Sequence, residues 1–309
     1  MPLSVLKSQK KHLVIIAGPT AIGKTTVGIA LAKHFNTEII SADSRQFYRE
    51  MNIGTAKPTD TELAIIPHHF INNLSIHDSY SVGSYERDVL AFLKNYYQKH
   101  DIALMVGGTG LYINAVVNGL DAFPNIEDNI KISVEEDYKK HGLVFLQDAV
   151  RASDPNYFAK VDIHNPVRLI RALEVIRATG KPFSEFTRGE KVARDFTPIF
   201  IKLELNRKFL YQRINARVDE MIKNGLVQEV EQLLPYQNLR TLQTVGYSEL
   251  FDYFNSVTTL TEAIEKIKQH TRNYAKRQMT WFKRAEYENT FSTTDVKNII
   301  KFIESAVNL

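Results

Sequence analysis

The sequence predicts an α/β protein in which a parallel sheet flanked by helices is interrupted by an inserted all-helical domain. Within residues 1–120, short apolar runs alternate with stretches of helical periodicity, the pattern of parallel strands joined by crossover helices. Residues 121–195 differ, because a turn-rich start is followed by helical spacing of the apolar residues. A strand-like run resumes at 197–205. We therefore expect residues 1–120 and 196–309 to form one core around the insertion.

A phosphate-binding loop follows the first predicted strand. Residues 13–17 are apolar, the next eight residues read GPTAIGKT, and a helical pattern then continues to Phe35. This strand–GxxxxGK[ST]–helix arrangement is the P-loop, in which backbone N–H groups and a helix N-terminus surround an anion. The Thr25 hydroxyl would complete the coordination shell of a Mg²⁺ ion. The motif predicts a P-loop NTPase-like sheet with a phosphate site formed by Gly18, Pro19, Thr20, Ala21, Ile22, Gly23, Lys24 and Thr25.

The carboxylate that hydrolytic P-loop enzymes carry at the end of a later strand is missing from its usual place. The strand-like run 102–106 ends in GGTG, which includes Thr109, whereas Asp43 ends the earlier strand-like run 38–43. Since the carboxyl ends of parallel strands open on one edge of a sheet, we expect Asp43 and Thr109 on either side of the phosphate. A P-loop without residues that activate water favours displacement at a carbon atom, with diphosphate as the leaving group.

Other interpretations remain open for three of these polar residues. Asp43 could cap a helix or bind Mg²⁺, and Thr109 could cap the helix predicted after Gly110. Arg217 follows Arg213 by four residues on one helix face, so it is either a second cation at the diphosphate or a solvent-facing side chain.

Positive charge is concentrated in two parts of a chain whose net charge is only +4. Residues 266–284 hold seven Lys or Arg and no acid, and residues 151–194 hold nine basic and five acidic residues. Such clusters favour an anionic partner larger than one nucleotide. On a helical projection of 266–284, one sector carries the predicted phosphate track, Lys268, Arg272, Lys276 and Lys283. The adjacent sector holds Ile267, Tyr274, Gln278, Trp281 and Phe282, of which Tyr274 and Trp281 are predicted core residues.

The composition of the chain restricts the classes of protein and the cellular compartments that come into question. The chain has no cysteine, which excludes disulfides, thiolate zinc sites and cysteine nucleophiles, and which fits a reducing cytoplasm. No apolar stretch is long enough to span a membrane, and residues 1–11 lack the apolar core of a signal peptide and are predicted to be a solvated tail. We expect a cytoplasmic enzyme that acts as a monomer and has no membrane partner.

Seven motifs together resemble those of the bacterial tRNA dimethylallyltransferases, also called tRNA isopentenyltransferases. They occur in the order typical of that family and span residues 18–284: GPTAIGKT, SADSRQFY, MNIGTAKP, LMVGGTGLY, NPVRLIRALEV, VGY and KRQMTWFKR. The resemblance implies transfer of a dimethylallyl group from dimethylallyl diphosphate to N6 of the adenine directly 3′ to the anticodon (adenine 37). It also implies that the tRNAs read codons beginning with U. The P-loop would then hold the diphosphate of the prenyl donor, with Mg²⁺ and without ATP hydrolysis.

The resemblance also assigns roles to the residues that match the motifs. Asp43 is implied to be the general base on N6, and Thr109 is implied to contact the diphosphate, the adenine and the tRNA. Lys24 and Thr25 are implied to hold the diphosphate and Mg²⁺. The other implied tRNA contacts are Asp43, Ser44, Arg45, Gln46, Lys131, Val167, Arg168, Leu169, Ile170, Arg171, Gln243, Thr244, Val245, Gly246, Tyr247 and Ser248.

Two positions depart from the pattern of the family. Lys131 stands where many relatives have an arginine, an exchange that keeps the charge but loses the planar fork. Gly110 stands where relatives often have a larger residue, which predicts a prenyl pocket of slightly different shape.

Three other functions share part of the pattern. A small-molecule P-loop kinase would carry the first motif, but it would need neither the basic helix nor the helical insertion. An adenylate isopentenyltransferase would prenylate free AMP or ATP with the same phosphate loop, whereas the insertion and the VGY stretch favour a polynucleotide acceptor. A plain RNA-binding protein would leave the P-loop unexplained.

Overall fold

The computed structural model describes residues 10–187, 189 and 191–308, which form two compact units. Unit 1 joins the chain up to Val117 with the chain from Ala193, and unit 2 is Asn118–Val192. The insertion therefore begins and ends three residues before the predicted range of 121–195. The first nine residues of the predicted N-terminal tail lie outside the described residues.

Within the described residues, unit 1 contains a six-stranded sheet in which every pairing is parallel. The strands in chain order are β1 (His12–Ala17), β2 (Ile39–Ala42), β3 (His68–His69), β4 (Ile102–Gly107), β5 (Thr197–Glu204) and β6 (Thr290–Ser292). Their order across the sheet is β3-β2-β4-β1-β5-β6. The predicted parallel α/β fold is confirmed. The edge strands β3 and β6 were not predicted, because two or three residues are too few to show an alternating pattern.

Among the residues that the structure describes, most of the α-helices belong to unit 1, and three lie within unit 2. In chain order the helices are α1 (Lys24–His34), α2 (Asp60–Ile65), α3 (Val82–Tyr96), α4 (Gly110–Asn118), α5 (Asp128–Ser153), α6 (Pro155–Phe158), α7 (Pro166–Thr179), α8 (Arg207–Lys223), α9 (Leu226–Leu233), α10 (Ser248–Phe254), α11 (Leu260–Trp281) and α12 (Val296–Val307). Asn206 caps α8 by accepting a 2.9 Å hydrogen bond from the backbone N–H of Lys208. Thr259 and Glu262 form a capping box at α11, which therefore starts before the predicted residue 266.

Alternate side chains of β1 pack into two separate cores, one on each face of the sheet. Leu13 and Ile15 belong to the core that includes residues of α3 and α10, and Val14 and Ile16 belong to the core that includes residues of α1 and α12. All four are 0–1% exposed. Burial of one such side chain contributes about 1.5–3 kcal/mol. The strand that carries the P-loop is therefore held firmly from both sides.

Unit 2 has a core of its own, formed mainly where α5 packs against α7. Val134, Leu146 and Leu169 are fully buried in that core. Gly142 has φ of 72° and divides α5 into two helical segments. The residues of unit 2 that the structure describes form helices, turns and loops without a strand, as predicted for the insertion.

Among the described residues, no helix combines the length and the apolar character that crossing a membrane requires.

Candidate active site

The loop between β1 and α1 is folded back on itself, as in phosphate-binding loops. Gly23 has φ of 106°, a left-handed conformation that a glycine adopts without strain. The side chain of Lys24 turns back over the loop, and its Nζ donates hydrogen bonds to the carbonyl oxygens of Gly18 (2.9 Å) and Pro19 (2.8 Å). An ammonium is thus fixed beside backbone N–H groups and the N-terminus of α1, all of which favour an anion.

A cavity of about 1000 Å³ opens beside this loop. Lys24 and Thr25 line it from α1, Asp43 from the end of β2, Arg217 from α8, and Tyr274 from α11. The structure therefore brings together the P-loop, the strand-end aspartate and the arginine that the sequence patterns singled out.

Two cations and one carboxylate act on one another in the cavity. Burial lowers the pKa of Lys24 to about 8, while the negative charge of Asp43 opposes this shift and the positive charge of Arg217 adds to it. Burial also lowers the pKa of Arg217, again against the influence of Asp43. With Lys24 protonated, these three side chains sum to one positive charge, which favours an anion at the P-loop end of the cavity.

Arg217 faces the cavity, so the interpretation of a solvent-facing side chain is wrong. Its guanidinium donates to the hydroxyl of Thr20 and to the carbonyl oxygen of Ala56, each at 3.4 Å. Arg213, one turn earlier on α8, is more exposed, and its Nη1 donates to the carbonyl oxygen of Ile22 at 3.0 Å. The two arginines therefore contact the P-loop from the same helix.

Asp43 lies in a turn directly after β2. Its Oδ1 accepts a hydrogen bond of 2.9 Å from the backbone N–H of Arg45. No helix begins after Asp43, so the interpretation as a helix cap is wrong. A carboxylate held by its own turn and facing the P-loop across a cavity can accept a proton or contact a cation.

Thr109 and Tyr274 lie at the same corner of the sheet as Asp43. The Thr109 hydroxyl accepts a 3.2 Å hydrogen bond from the backbone N–H of Ser44, which lies in the turn after β2. Burial raises the pKa of Tyr274 to about 12, the charge of Asp43 adds to this, and a hydrogen bond with Thr109 opposes it. The prediction that Tyr274 is a core residue is wrong, because its side chain lines the cavity.

A buried glutamine, Gln278, braces the P-loop. Its Oε1 accepts from the backbone N–H of Thr20 at 2.8 Å, and its Nε2 donates to the carbonyl oxygen of Gly108 at 2.9 Å. A Cβ atom on residue 108 would lie 2.3 Å from Nε2, so this bridge requires glycine there. Gln278 and Tyr274 are four residues apart on α11, a spacing that places both on one helix face. Two polar residues at this spacing were the feature of the sequence that could have predicted a functional role for both.

We expect Gln278→Glu to weaken the binding of inorganic pyrophosphate about 10-fold. The carboxylate would face the carbonyl oxygen of Gly108 without a proton to donate, and an unsatisfied buried group costs about 1–3 kcal/mol. Isothermal titration calorimetry measures the affinity, with Gln269→Glu as the control because Gln269 is exposed on the same helix. Wild-type affinity in Gln278→Glu would show that the bridge does not shape the phosphate site.

The space beside Gly110 is filled by the indole of Trp281, while the altered shape of the prenyl pocket stays a prediction. A Cβ atom on residue 110 would lie 2.0 Å from Nε1 of Trp281. The indole fills the space that a side chain at 110 would need, and the guanidinium of Arg284 lies over the ring, with Cζ 3.9 Å from the ring centroid. Trp281 packs against the core of unit 1, in agreement with its prediction as a core residue.

Lys268 and Arg272 do not form part of an exposed phosphate track. The ammonium of Lys268 lies 2.8 Å from a carboxylate oxygen of Asp219 and 2.9 Å from one of Glu265, and its side chain is 14% exposed. Arg272 donates to the side-chain oxygen of Asn215, on α8, at 2.7 Å. Both cations therefore have their ion-pair or hydrogen-bond partners within unit 1.

Lys276 and Lys283 are exposed. Lys283 lies beyond Trp281, the last residue of α11, so it does not continue the helical stripe. The prediction of one continuous track of four basic residues is therefore wrong, and two cations of that set remain accessible to an anionic partner.

The two predicted tRNA-contact stretches of unit 1 are partly buried. Ser44 and Arg45 are half-exposed, whereas the side-chain amide of Gln46 bonds to Ser41 and to the carbonyl oxygens of residues 55 and 56. Tyr247 is 0% exposed, which supports the core-packing alternative for its ring. In the rest of that stretch, Gly246 is buried, Gln243 is exposed, and the half-exposed residues are Thr244, Val245 and Ser248.

In unit 2, the predicted contacts lie on α5 and α7. Val167 and Arg168 are exposed at the start of α7, but Leu169 is 0% exposed, so its side chain has no surface to offer an RNA. Ile170 is half-buried. Two of the cations already have partners, since Lys131 pairs with Asp128 and Arg171 pairs with Glu174.

Comparison with known proteins shows close relatives along nearly the whole chain. The family model described as IPP transferase matches residues 46–285. A tRNA dimethylallyltransferase of Christiangramia forsetii is 49% identical over 298 residues, which cover 96% of this chain and 99% of the relative. Another, of Flavobacterium psychrophilum, is 47% identical over 301 residues, which cover 95% and 98% of the two chains.

Solved structures that resemble this chain come from the same family as these relatives. The full-length tRNA isopentenylpyrophosphate transferase of Bacillus halodurans is 35% identical, with a TM-score of 0.72 and 97% of both chains covered. A eukaryotic dimethylallyltransferase described as acting on tRNA has a TM-score of 0.80 at 26% identity, covering 96% of this chain and 79% of its own. The family that the motifs predicted is confirmed: this chain belongs to the tRNA dimethylallyltransferase, or IPP transferase, family.

Proposed function

We propose that this chain transfers the dimethylallyl group of dimethylallyl diphosphate to N6 of the adenine directly 3′ to the anticodon of tRNA. The observation that carries the proposal is the grouping of Lys24, Arg217 and Asp43 around one cavity beside the P-loop. Two cations suit a diphosphate, and a carboxylate facing them suits the proton of the attacking amine. The chain is thus an enzyme of the prenyltransferase class, as its relatives are.

In the proposed reaction, the bond between C1 of the prenyl group and the diphosphate oxygen breaks as the bond from C1 to N6 forms. Negative charge develops on the leaving diphosphate, where Lys24, Arg217 and the backbone N–H groups of the P-loop stabilise it. The N6 proton passes to Asp43, a general-base step worth about 10²–10⁴ in rate. The Thr109 hydroxyl and the Tyr274 phenol lie beside Asp43 and orient the adenine.

The proposal includes a Mg²⁺ ion on the diphosphate. Thr25 lines the cavity directly after Lys24, and its hydroxyl would be a ligand of the ion. Mg²⁺ retains several waters and takes oxygens from phosphates, so the protein need not supply a full ligand set. When bound, the ion would neutralise charge on the leaving group. Asp43 is the alternative protein ligand.

The acceptor is proposed to be a tRNA anticodon stem-loop. Exposed residues on both units, among them Lys276 and Lys283 of unit 1 and Arg168 of unit 2, offer cationic and polar contacts. We propose that the enzyme is active as a monomer. We also propose that the enzyme works in the cytoplasm, where a chain without cysteine needs no oxidising compartment.

Replacing Lys276 and Lys283 together with Ala should weaken tRNA binding with little dependence on the anticodon sequence, because phosphate contacts do not read bases. The slope of log affinity against log salt should shrink by up to about 1.4–1.8, at about 0.7–0.9 for each phosphate that a lysine no longer neutralises. Fluorescence titrations at several salt concentrations measure this slope. Lys268→Ala is the matched control, since its ammonium is already paired, and an unchanged slope in the double variant would exclude these two lysines from the interface.

The catalytic efficiency for the donor should fall at high pH. The ratio kcat/KM reports the pKa values of groups in the free enzyme, and the pKa of Lys24 is about 8. Lys24 is charged below this value and neutral above it. We expect kcat/KM for dimethylallyl diphosphate to fall about tenfold per pH unit above about pH 8, because the neutral amine does not attract the diphosphate. A flat profile through this range would mean that the Lys24 charge does not limit donor capture.

Mass spectrometry of tRNA nucleosides tests the function in the cell. A strain lacking this gene should contain no N6-isopentenyladenosine in its tRNA, and restoring the gene should restore the nucleoside. Restoration by a variant carrying Asp43→Asn should be strongly reduced. Normal levels of the nucleoside without the gene would contradict the proposal.

A further inference from the structure

Four hydrogen-bond donors converge on the carboxylate of Glu229 in α9. Its Oε2 accepts from the backbone N–H groups of Asn52 (3.1 Å) and Ile53 (2.7 Å). Its Oε1 accepts from the backbone N–H of Gly54 (3.1 Å) and from the hydroxyl of Tyr247 (2.6 Å). Three consecutive N–H groups around one carboxylate, together with a phenol, fix the loop at 52–54 against Tyr247.

The contact between the loop and Tyr247 leaves no free space. A Cβ atom on residue 54 would lie 2.5 Å from the Tyr247 ring, so only glycine allows the ring to lie on the backbone here. Tyr247 is 0% exposed, and burial, followed by the charge and the hydrogen bond of Glu229, raises its pKa far above the usual range. The phenol therefore stays protonated and remains a donor to Glu229.

The loop continues directly into the wall of the donor cavity. Asn52, Ile53, Thr55 and Ala56 line that cavity. The carbonyl oxygen of Ala56 accepts from Arg217 at 3.4 Å, and the backbone N–H of Ala56 donates to the carbonyl oxygen of Ile53 at 3.0 Å. The carboxylate of Glu229 thus holds the loop whose carbonyl oxygen orients Arg217.

The other side of the contact is the segment 243–248, which the family resemblance implies to contact tRNA. Tyr247 lies directly before α10, and it cannot contact an RNA itself because it is buried. Its hydroxyl instead bonds to Glu229. One carboxylate therefore joins the donor-cavity wall to the proposed acceptor segment.

We propose that Glu229 is a positioning residue for prenyl transfer. Its carboxylate ties the wall at 52–56 to the segment 243–248, and through the carbonyl oxygen of Ala56 it keeps Arg217 aimed at the diphosphate. The role is indirect, because Glu229 is not among the residues that line the donor cavity and acts through Arg217. The inference rests on the proposed function for the identity of the donor, but the diphosphate site can be tested without tRNA.

Glu229→Gln is the variant that isolates this role. It keeps the shape of the side chain, but its NH₂ group cannot accept hydrogen bonds from backbone N–H groups. One side of the four-donor cluster therefore loses its acceptor. Glu231→Gln is the matched control, since Glu231 is exposed on the same helix. Tyr247→Phe removes one of the four bonds and should act in the same direction with a smaller effect.

The test measures the affinity for inorganic pyrophosphate in wild type, Glu229→Gln, Arg217→Ala and the double variant. Glu229→Gln should weaken binding about 10-fold when Arg217 is present and less than about 2-fold when Arg217 is already replaced, because residues that act through one another are not additive. In the full reaction, the KM for dimethylallyl diphosphate should rise more than kcat falls. Glu231→Gln should match wild type throughout.

An equal loss of pyrophosphate affinity in both Arg217 backgrounds would overturn the inference, as would a loss that follows the fraction of unfolded protein in a thermal melt. If Glu229→Gln does not fold, the same comparison with Tyr247→Phe decides the question. A wild-type enzyme that binds pyrophosphate but does not prenylate tRNA would contradict the proposed function, and the pyrophosphate comparison would still test the role of Glu229.

Discussion

We expect Asp43→Asn to lower the turnover of prenyl transfer by about 100-fold or more while tRNA affinity stays at the wild-type level. The asparagine keeps the shape of the side chain and an oxygen that can accept from the backbone N–H of Arg45, so the turn after β2 should persist. It cannot accept the N6 proton, and loss of a general base costs about 10²–10⁴ in rate. Single-turnover kinetics with preformed enzyme–tRNA complex measure the chemical step directly.

The control for this substitution is Asp60→Asn, because Asp60 is exposed at the rim of the same cavity. Its turnover should match wild type. Asp43 would instead be a magnesium ligand if Asp43→Asn kept full turnover at saturating Mg²⁺ and needed more Mg²⁺ to reach it. That outcome would remove Asp43 from the proton transfer.

Lys24→Met should lower kcat/KM for dimethylallyl diphosphate by about 10²–10³, the range seen when one electrostatic donor to a developing anion is removed. Lys24 lies on the P-loop carbonyl groups, and its buried ammonium has a lowered pKa, so the folded protein gains little from this charge. The thermal midpoint should therefore stay close to that of wild type.

Steady-state kinetics with varied donor, together with a thermal melt, separate these two effects. Lys33→Met is the matched control, since Lys33 is exposed on the same helix. A variant Lys24→Met with wild-type kcat/KM would show that the P-loop lysine does not act on the diphosphate in this enzyme.

Residues that follow strands were predictable because their positions depend on local spacing. Asp43 and Thr109 end two neighbouring parallel strands, and the carboxyl ends of parallel strands must meet at one edge of the sheet. Lys24 and Thr25 follow from the P-loop spacing in the same way. For these residues, the predicted parallel arrangement of the strands was sufficient to place the side chains near one another.

The contacts of side chains on helices were harder to predict, because a helical projection gives the helix face on which a residue lies but not the residue that it contacts. Lys268 and Arg272 share a face with Lys276, yet α8 supplies Asp219 and Asn215 to pair with the first two. Gln278 is polar but lies on the same helix sector as the predicted core residues. It is satisfied there because its two hydrogen-bond partners are backbone groups, one in the P-loop and one in the segment after β4. Backbone partners leave no trace in a pattern of side chains.

The stoichiometry of the purified reaction distinguishes prenyl transfer to tRNA from ATP-dependent chemistry and from prenylation of a free nucleotide. Unmodified anticodon stem-loop RNA is incubated with labelled dimethylallyl diphosphate and Mg²⁺, with and without ATP, and with AMP as an alternative acceptor. We expect one diphosphate released per prenyl group bound to N6 of the adenine 3′ to the anticodon, with no ADP formed and no transfer to AMP. ADP formed in step with RNA modification would contradict transfer without ATP hydrolysis, and AMP prenylated as efficiently as the RNA would contradict a tRNA acceptor.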